Sequence, residues 1–272
     1  MNICFITKEK LSYDEAAPSR ILNIAKILEK QHNVFVIARS SGTIKGRDIY
    51  EIPKLADNFV LNQIFKIIVF FVSLYLMISK DVRVFIVREY YYVVLFYPLT
   101  KLFGVKVFYD MHCFRYKELE VEGKRIKLII IRPIEILSHK LATNILAISS
   151  GIIKDLSHNL RKKTIFLPNG SNLKEFDNVK YDHRIQKKYN IPNTKPIIGF
   201  IGNWMPWVDV ETFLKSSRYV ENATFVVVGE ASTQKSLKQL KTTYPSVIFT
   251  ARINHGDAVK LLNLMDICIL PY

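Results

Sequence analysis

Short apolar runs alternate with helix-length segments along the whole chain, and no other feature restricts the fold as tightly. NICFIT (2–7), NVFVIAR (33–39), VRVFIV (82–87), KVFYDMH (106–112), TNILAISS (143–150) and KTIFLPNG (163–170) read as strands, with DIYEIP (48–53) as an added one. Between them lie SRILNIAKILEK (19–30), the run 59–80, YYVVLFYPLTKLF (91–103), KRIKLIIIRPIEILSHKLA (124–142) and GIIKDLSHNL (151–160), all of helix length. Strands apolar on both faces and separated by helices mean parallel sheets covered on both sides. The charged stretch 171–195 interrupts the pattern, which then restarts. PIIGFIGN (196–203), ATFVVVGE (223–230), SVIFTAR (246–252) and DICILPY (266–272) are its strands. Helices are expected at 210–220, near 234–243 and at 257–265. The expected fold is α/β, with two Rossmann-like doubly wound parallel-sheet domains at 1–175 and 196–272, joined by a linker at 176–195. The second series stops on an apolar strand running into a turn and reads as incomplete.

Charge narrows the partners. The chain carries 39 Lys and Arg against 24 Asp and Glu, a net +15. Residues 1–180 hold 28 of the basic and 17 of the acidic groups, so the excess lies mostly in the first half. An anionic membrane surface, a phosphorylated substrate or nucleic acid would suit it. Basic and aromatic residues are not interleaved on any nucleic-acid module, so no nucleic-acid partner is expected. Cys4 and Cys268 lie in apolar strand-like runs and Cys113 follows a strand. An odd, sparse and mostly buried set fits a reducing compartment, hence the cytoplasm. No metal-ligand spacing is present. MNICFITKEK does not read as a signal peptide. The uncharged run IIVFFVSLYLMIS (67–79) has 13 residues, short of the roughly 20 that span a bilayer. A buried helix is expected there, with a helix lying in the membrane interface as the alternative.

Several motifs carry a family resemblance. IFLPNGSNLKEF resembles the interdomain signature of glycosyltransferase family 4, the retaining nucleotide-sugar transferases of the GT-B fold. IIGFIGNWMPWVDVETF resembles the strand and phosphate-side loop that open the donor domain of that family. FVVVGE resembles its second strand, and VIFTARINHGDAVKLLNLMDICILPY its third strand and the elements beyond. VFYDMH and LAISSGIIKDL resemble its first-domain strand ending in His and the segment after it. These stretches cover nearly the whole chain in the family's order. The resemblance implies a nucleotide sugar as donor substrate, no further cofactor and no bound metal. It places the ligand between two domains, at strand C-termini.

It also implies site residues, some with a physical reason of their own. Gly202 and Gly229 end buried strands, where a missing side chain would let backbone N–H groups approach phosphate. Asn203, Trp204 and Glu230 follow on the same loops, Arg252 and Ile253 lie at the end of the third strand, and together they complete the implied donor site. A tight βα turn is the bland explanation for each glycine. His112 lies beside the reacting centre by resemblance, in a hydrogen-bonding and electrostatic role. Ser19 and Arg20 offer a phosphate or acceptor contact at a helix start, or ordinary capping. Asn169 and Gly170 mark the hinge, structural first. His255 reads as a cap for the following helix.

The sequence departs from the family pattern in three places. Asn203 and Val208 stand where Arg and Lys usually neutralise the diphosphate. The first loop, KEKLSYDEAAPSR (8–20), lacks glycine. The two Glu that follow the last strand in the family are not in these 272 residues. The expected function is transfer of a sugar to a hydroxyl with retention, in cell-surface polysaccharide or glycolipid synthesis. The acceptor would be a glycan or lipid-linked, with peripheral contact to an anionic membrane at its inner face. A truncated non-catalytic remnant, or a subunit completed by a second chain, is the alternative; a nucleotide-sugar epimerase and a nucleic-acid binder are rivals.

Overall fold

The computed structural model describes residues 1–12, 16–40, 48–53, 59–171, 173, 176, 182–192, 196–205, 207–229 and 234–271. It forms two compact units, Met1–Gly170 and Ser171–Tyr272.

In the first unit the chain runs β1 (Asn2–Lys10), α1 (Ala16–Leu28), β2 (Asn33–Arg39), β3 (Ile49–Ile52), α2 (Phe59–Ser79), β4 (Val84–Val87) and α3 (Tyr90–Phe103). It continues through β5 (Lys106–Met111), α4 (Arg115–Val121), α5 (Arg125–Leu141), β6 (Asn144–Ala147), α6 (Ser150–Asp155), α7 (His158–Arg161) and β7 (Thr164–Phe166). Among the described residues the sheet has seven strands in the order β3-β2-β1-β4-β5-β6-β7, and the paired strands are parallel. Alternate residues of β1 enter opposite layers: Cys4 and Ile6 join one core cluster, Ile3 and Phe5 the other. That period of two, buried on both sides, is the pattern the apolar runs predicted. The order reverses between β1 and β4, and such a switch point leaves a crevice beyond the strand C-termini.

Three expectations change here. FRYKELE, left unassigned, forms α4, because the buried Glu135 of α5 accepts the N–H groups of Arg115 and Tyr116, both at 2.9 Å. Segment 151–160 divides into α6, capped by the Ser149 hydroxyl, and α7. Helix α2 is not simply buried. Phe65, Val69, Ser73, Leu76 and Met77 face the core, while Ile67, Phe71, Tyr75 and Ile78 form an exposed apolar face. By length and composition it is the one helix, among the described residues, apolar enough to cross a membrane.

The second unit contains α8 (His183–Lys188), β8 (Ile197–Ile201), α9 (Val210–Ser216), β9 (Thr224–Val228), α10 (Gln234–Thr243), β10 (Val247–Ala251), α11 (His255–Leu264) and β11 (Ile267–Cys268). Its parallel sheet has the order β10-β9-β8-β11. The expected linker contributes to this core. Ile185 and Ile191 are buried with Ile197, Val226, Val228 and Leu261, and Lys188 reaches Asp257 on α11 at 2.5 Å. The units divide at Gly170 and Ser171, five residues before the expected boundary. Cys268 is exposed rather than buried, since β11 is a two-residue edge strand.

Candidate functional site

In the first unit, the ends of β1, β4, β5 and β7 gather a polar cluster. Asp110 and His112, two residues apart near the end of β5, meet at 2.9 Å through Nε2 and Oδ2. Arg20 of α1 grips the other side of Asp110, with Nη2–Oδ1 at 3.1 Å and Nε–Oδ2 at 3.3 Å. Its remaining N–H groups donate to the carbonyls of Leu167 and Pro168 and to Asn169 Oδ1, at 2.9 to 3.0 Å. A guanidinium has five N–H donors, and all five are engaged. Arg20 therefore has no donor left for a phosphate, which corrects the expected ligand role. It ties β5 to the segment after β7 through a buried ion pair. Its carbonyl partners at Leu167 and Pro168 also explain why β7 stops at Phe166. Ser19 accepts a hydrogen bond from Asn23 at 3.3 Å and does not cap the helix.

Burial pushes the Asp110 carboxyl up, but His112 and then Arg20 outweigh it and hold the carboxyl below its usual range. Asp110 is thus ionised, and the Nε2–H of His112 must donate to it. Arg88 Nη1 lies 3.3 Å from the same nitrogen, a contact in which both atoms are donors. Arg88 consequently places positive charge beside the ring without a hydrogen bond to it. Nδ1 of His112 takes no hydrogen bond among the described residues. A ring fixed through one nitrogen presents the other to a substrate hydroxyl.

Sequence reasoning missed Arg88, Glu89 and Asp110. A charge inside the apolar run VFYDMH, and an Arg-Glu pair directly after VFIV, are the signals that point to them. Glu89 is buried and accepts the Lys8 N–H at 3.2 Å, joining the ends of β1 and β4. Burial drives its carboxyl up to about 7, although Lys8 and Arg88 pull it down. Gly170 does not adopt a left-handed conformation and has open space around it. The boundary between units falls beside it, but local geometry does not require a glycine.

The second unit's expected donor residues lie at neighbouring strand ends. The Gly202 N–H donates to Val228 at 3.0 Å, and the Gly229 N–H to Ala251 at 3.1 Å. These two amides belong to the sheet ladder and are spent there. Gly229 acts sterically instead. Its φ is +133°, and an added Cβ would collide with the Gly202 carbonyl oxygen. The N–H groups of Asn203 and Trp204, next in the chain, make no hydrogen bond among the described residues. Trp204 packs on Phe249 with centroids 6.2 Å apart, and its buried Nε1 has no hydrogen-bond partner among the described residues. Ile253 is half-buried and Arg252 exposed. A bulge at the end of β10 puts Ala251 at φ 62°, turning the chain just before Arg252. Glu230 lies outside the described residues. Asn254, not His255, caps α11, accepting the Asp257 N–H at 2.8 Å. Asp209 caps α9 in the same way.

Residues 182–272 match the family described as glycosyl transferases group 1. No curated protein matches the sequence. Among solved structures, sucrose-phosphate synthase from Thermosynechococcus elongatus is similar at a TM-score of 0.76 and 14% identity, over 100% of this chain and 76% of that one. HepE from Anabaena, in complex with UDP-glucose, is similar at 0.67 and 13%, over 98% and 73%. UDP-GlcNAc 2-epimerase from Neisseria meningitidis bound to UDP-GlcNAc is similar at 0.62 and 12%, over 98% and 76%. At such identities the likeness establishes the fold, which is that of the GT-B class.

Proposed function

We propose that the protein transfers a sugar from a nucleoside-diphosphate sugar to a hydroxyl of a glycan or lipid-linked acceptor, with retention at the anomeric carbon. One observation carries this reading: the glycosyl transferases group 1 match covers all of β8, β9 and β10, whose ends hold the glycines and Arg252. The solved complex of HepE with UDP-glucose supports a UDP-sugar as donor. The nucleotide sugar is the donor substrate, and the reading takes no further cofactor.

Each unit has a role. The second unit offers the N–H groups of Asn203 and Trp204 to the diphosphate, and Arg252, just after β10, supplies the charge that the loop GNWMPWVD lacks. The first unit presents His112 Nδ1 to a hydroxyl. Asp110 holds the ring in place through its Nε2–H, and Arg88 favours negative charge developing nearby. A cytoplasmic site at the inner membrane face, in surface-polysaccharide or glycolipid synthesis, suits the outer face of α5. There Ile126, Ile129 and Ile130 are exposed beside Lys124, Arg125 and Lys127, as in helices that lie on anionic membranes.

Labelled nucleotide sugars, incubated with the full chain and a membrane extract, test the reading. Label should move into a glycan or glycolipid whose new linkage keeps the donor's anomeric configuration. His112→Ala should cut turnover about 10²–10⁴-fold with nucleotide-sugar affinity unchanged. Label recovered only as an epimerised nucleotide sugar would make the protein an epimerase, and no nucleotide-sugar binding at all would overturn the proposal.

A further inference from the structure

A pocket of about 400 Å³ opens in the first unit at the C-terminal ends of the neighbouring strands β1 and β2. None of the residues given a role above, by side chain, lines it. Its walls include Lys8 and Glu9 of β1, Arg39 at the end of β2, Phe65 and Lys66 of α2, and Tyr91 of α3. Three cations thus face one carboxylate. Two of the three cations are braced. Lys66 Nζ lies 4.3 Å over the Tyr91 ring and donates to Gln63 Oε1 at 3.0 Å. Arg39 lies 5.5 Å over Phe65 and donates to Asn62 Oδ1 at 3.4 Å. Bracing removes the rotamer entropy that free lysines would lose on binding. Neither Lys8 nor Lys66 forms an ion pair among the described residues. Burial and then the charge of Lys8 lower the Lys66 pKa, the mark of two ammonium groups repelling across the same space. An anion placed between them would remove that repulsion.

The pocket adjoins the His112 cluster through covalent neighbours. The Lys8 N–H is held by Glu89 at 3.2 Å, and Arg88, next in the chain, lies 3.3 Å from His112. We propose that this pocket binds a phosphate or diphosphate group, and that this group belongs to the acceptor. The second clause rests on the transferase reading; the first does not.

Inorganic pyrophosphate, titrated calorimetrically into the full chain, is the probe. Lys8→Gln and Lys66→Gln should each weaken its binding about tenfold, with both variants still unfolding cooperatively and nucleotide-sugar affinity unchanged. Vesicles containing phosphatidic acid separate the sources. If the variants also lose vesicle binding, the phosphate is lipid-borne; if vesicle binding is unaltered, it comes from a soluble acceptor. Wild-type protein that ignores pyrophosphate, or variants that bind it as wild type does, would overturn the pocket. Pocket-dependent pyrophosphate binding in a protein that takes no nucleotide sugar would leave the pocket standing and remove only its acceptor assignment.

Discussion

The strand ends of the two units are built by opposite means. In the first, charged side chains are buried and tied to one another: Arg20, Asp110 and His112 form a chain of contacts under 3.4 Å. In the second, the matching edge is mostly backbone. Gly202 and Gly229 press their main chains together, and the loop GNWMPWVD carries no cation. A polar network holds its geometry through paired charges, so it fails when one partner is removed. A steric edge fails when an atom is added. The units should therefore respond to opposite kinds of substitution.

Arg20→Ala is the sharpest test of the first half of that contrast. It leaves Asp110 buried with one partner fewer and two carbonyls without donors, a loss of about 3–5 kcal/mol in the first unit. Arg20→Lys should recover little, because an ammonium cannot span five acceptors. Both tryptophans, Trp204 and Trp207, lie in the second unit. Denaturant unfolding followed by tryptophan fluorescence should stay near wild type, while the helical signal of the first unit is lost early. Equal loss in both signals would break the contrast.

Gly229→Ala addresses the second half. The added methyl meets the Gly202 carbonyl oxygen at a φ that L-residues avoid, so the second unit should lose about 2–4 kcal/mol. Fluorescence should now report the early transition. A neutral result would mean that the two strand ends part easily, and the steric account would fail.

This contrast also explains what could be read from sequence. Strands β1 to β6 and β8 to β10 were legible because each holds a short, mostly apolar stretch that is buried on both faces of its sheet, which few other structures tolerate. Gly229 was legible because no other residue is small enough there. The polar cluster was legible only in part. His112 stood out by placement at a strand end, whereas Asp110 and Glu89 gain meaning from partners 90 and 81 residues away. Arg20 was misjudged for the same reason: nothing local shows that Leu167, Pro168 and Asn169 will occupy its donors. Helix α4 was missed because its cap, Glu135, comes from a later helix.

Glu89 sharpens the comparison through pH. Its carboxyl is raised from 4.5 to about 7 in the folded protein, so the folded state binds more protons than the unfolded. Its contribution is then full below pH 4.5 and falls as pH rises through 7, by on the order of 2–3 kcal/mol. Lys8, Arg88 and Glu9 are the charges that face it. His139 works the other way: burial and then Lys163 lower it to about 4, so stability rises between pH 4 and 6.5. Glu135, also raised by burial, adds a fall of the same sign, so Glu89→Gln should flatten the decline toward pH 8 and make the first unit more stable there than wild type. Unfolding midpoints measured from pH 5 to 8 decide it, and a variant that weakens toward pH 8 as steeply as wild type would exclude Glu89 as the source.

The smallest expected effect lies in the loop that carries Arg252. Ala251 is held at φ 62°, a left-handed conformation that costs an L-residue about 1–2 kcal/mol. Glycine adopts it freely but loses about 0.4–1 kcal/mol through its more disordered unfolded chain. Ala251→Gly should therefore stabilise the second unit by roughly 0.5 kcal/mol, and Ala251→Val should destabilise it, since a β-branched residue resists that region most. Strain kept beside a binding loop normally serves to aim a side chain. If the glycine variant is more stable yet binds nucleotide sugar less well, the strain aims Arg252. If both properties improve together, the turn is only a feature of the bulge, and the second unit's edge is steric throughout.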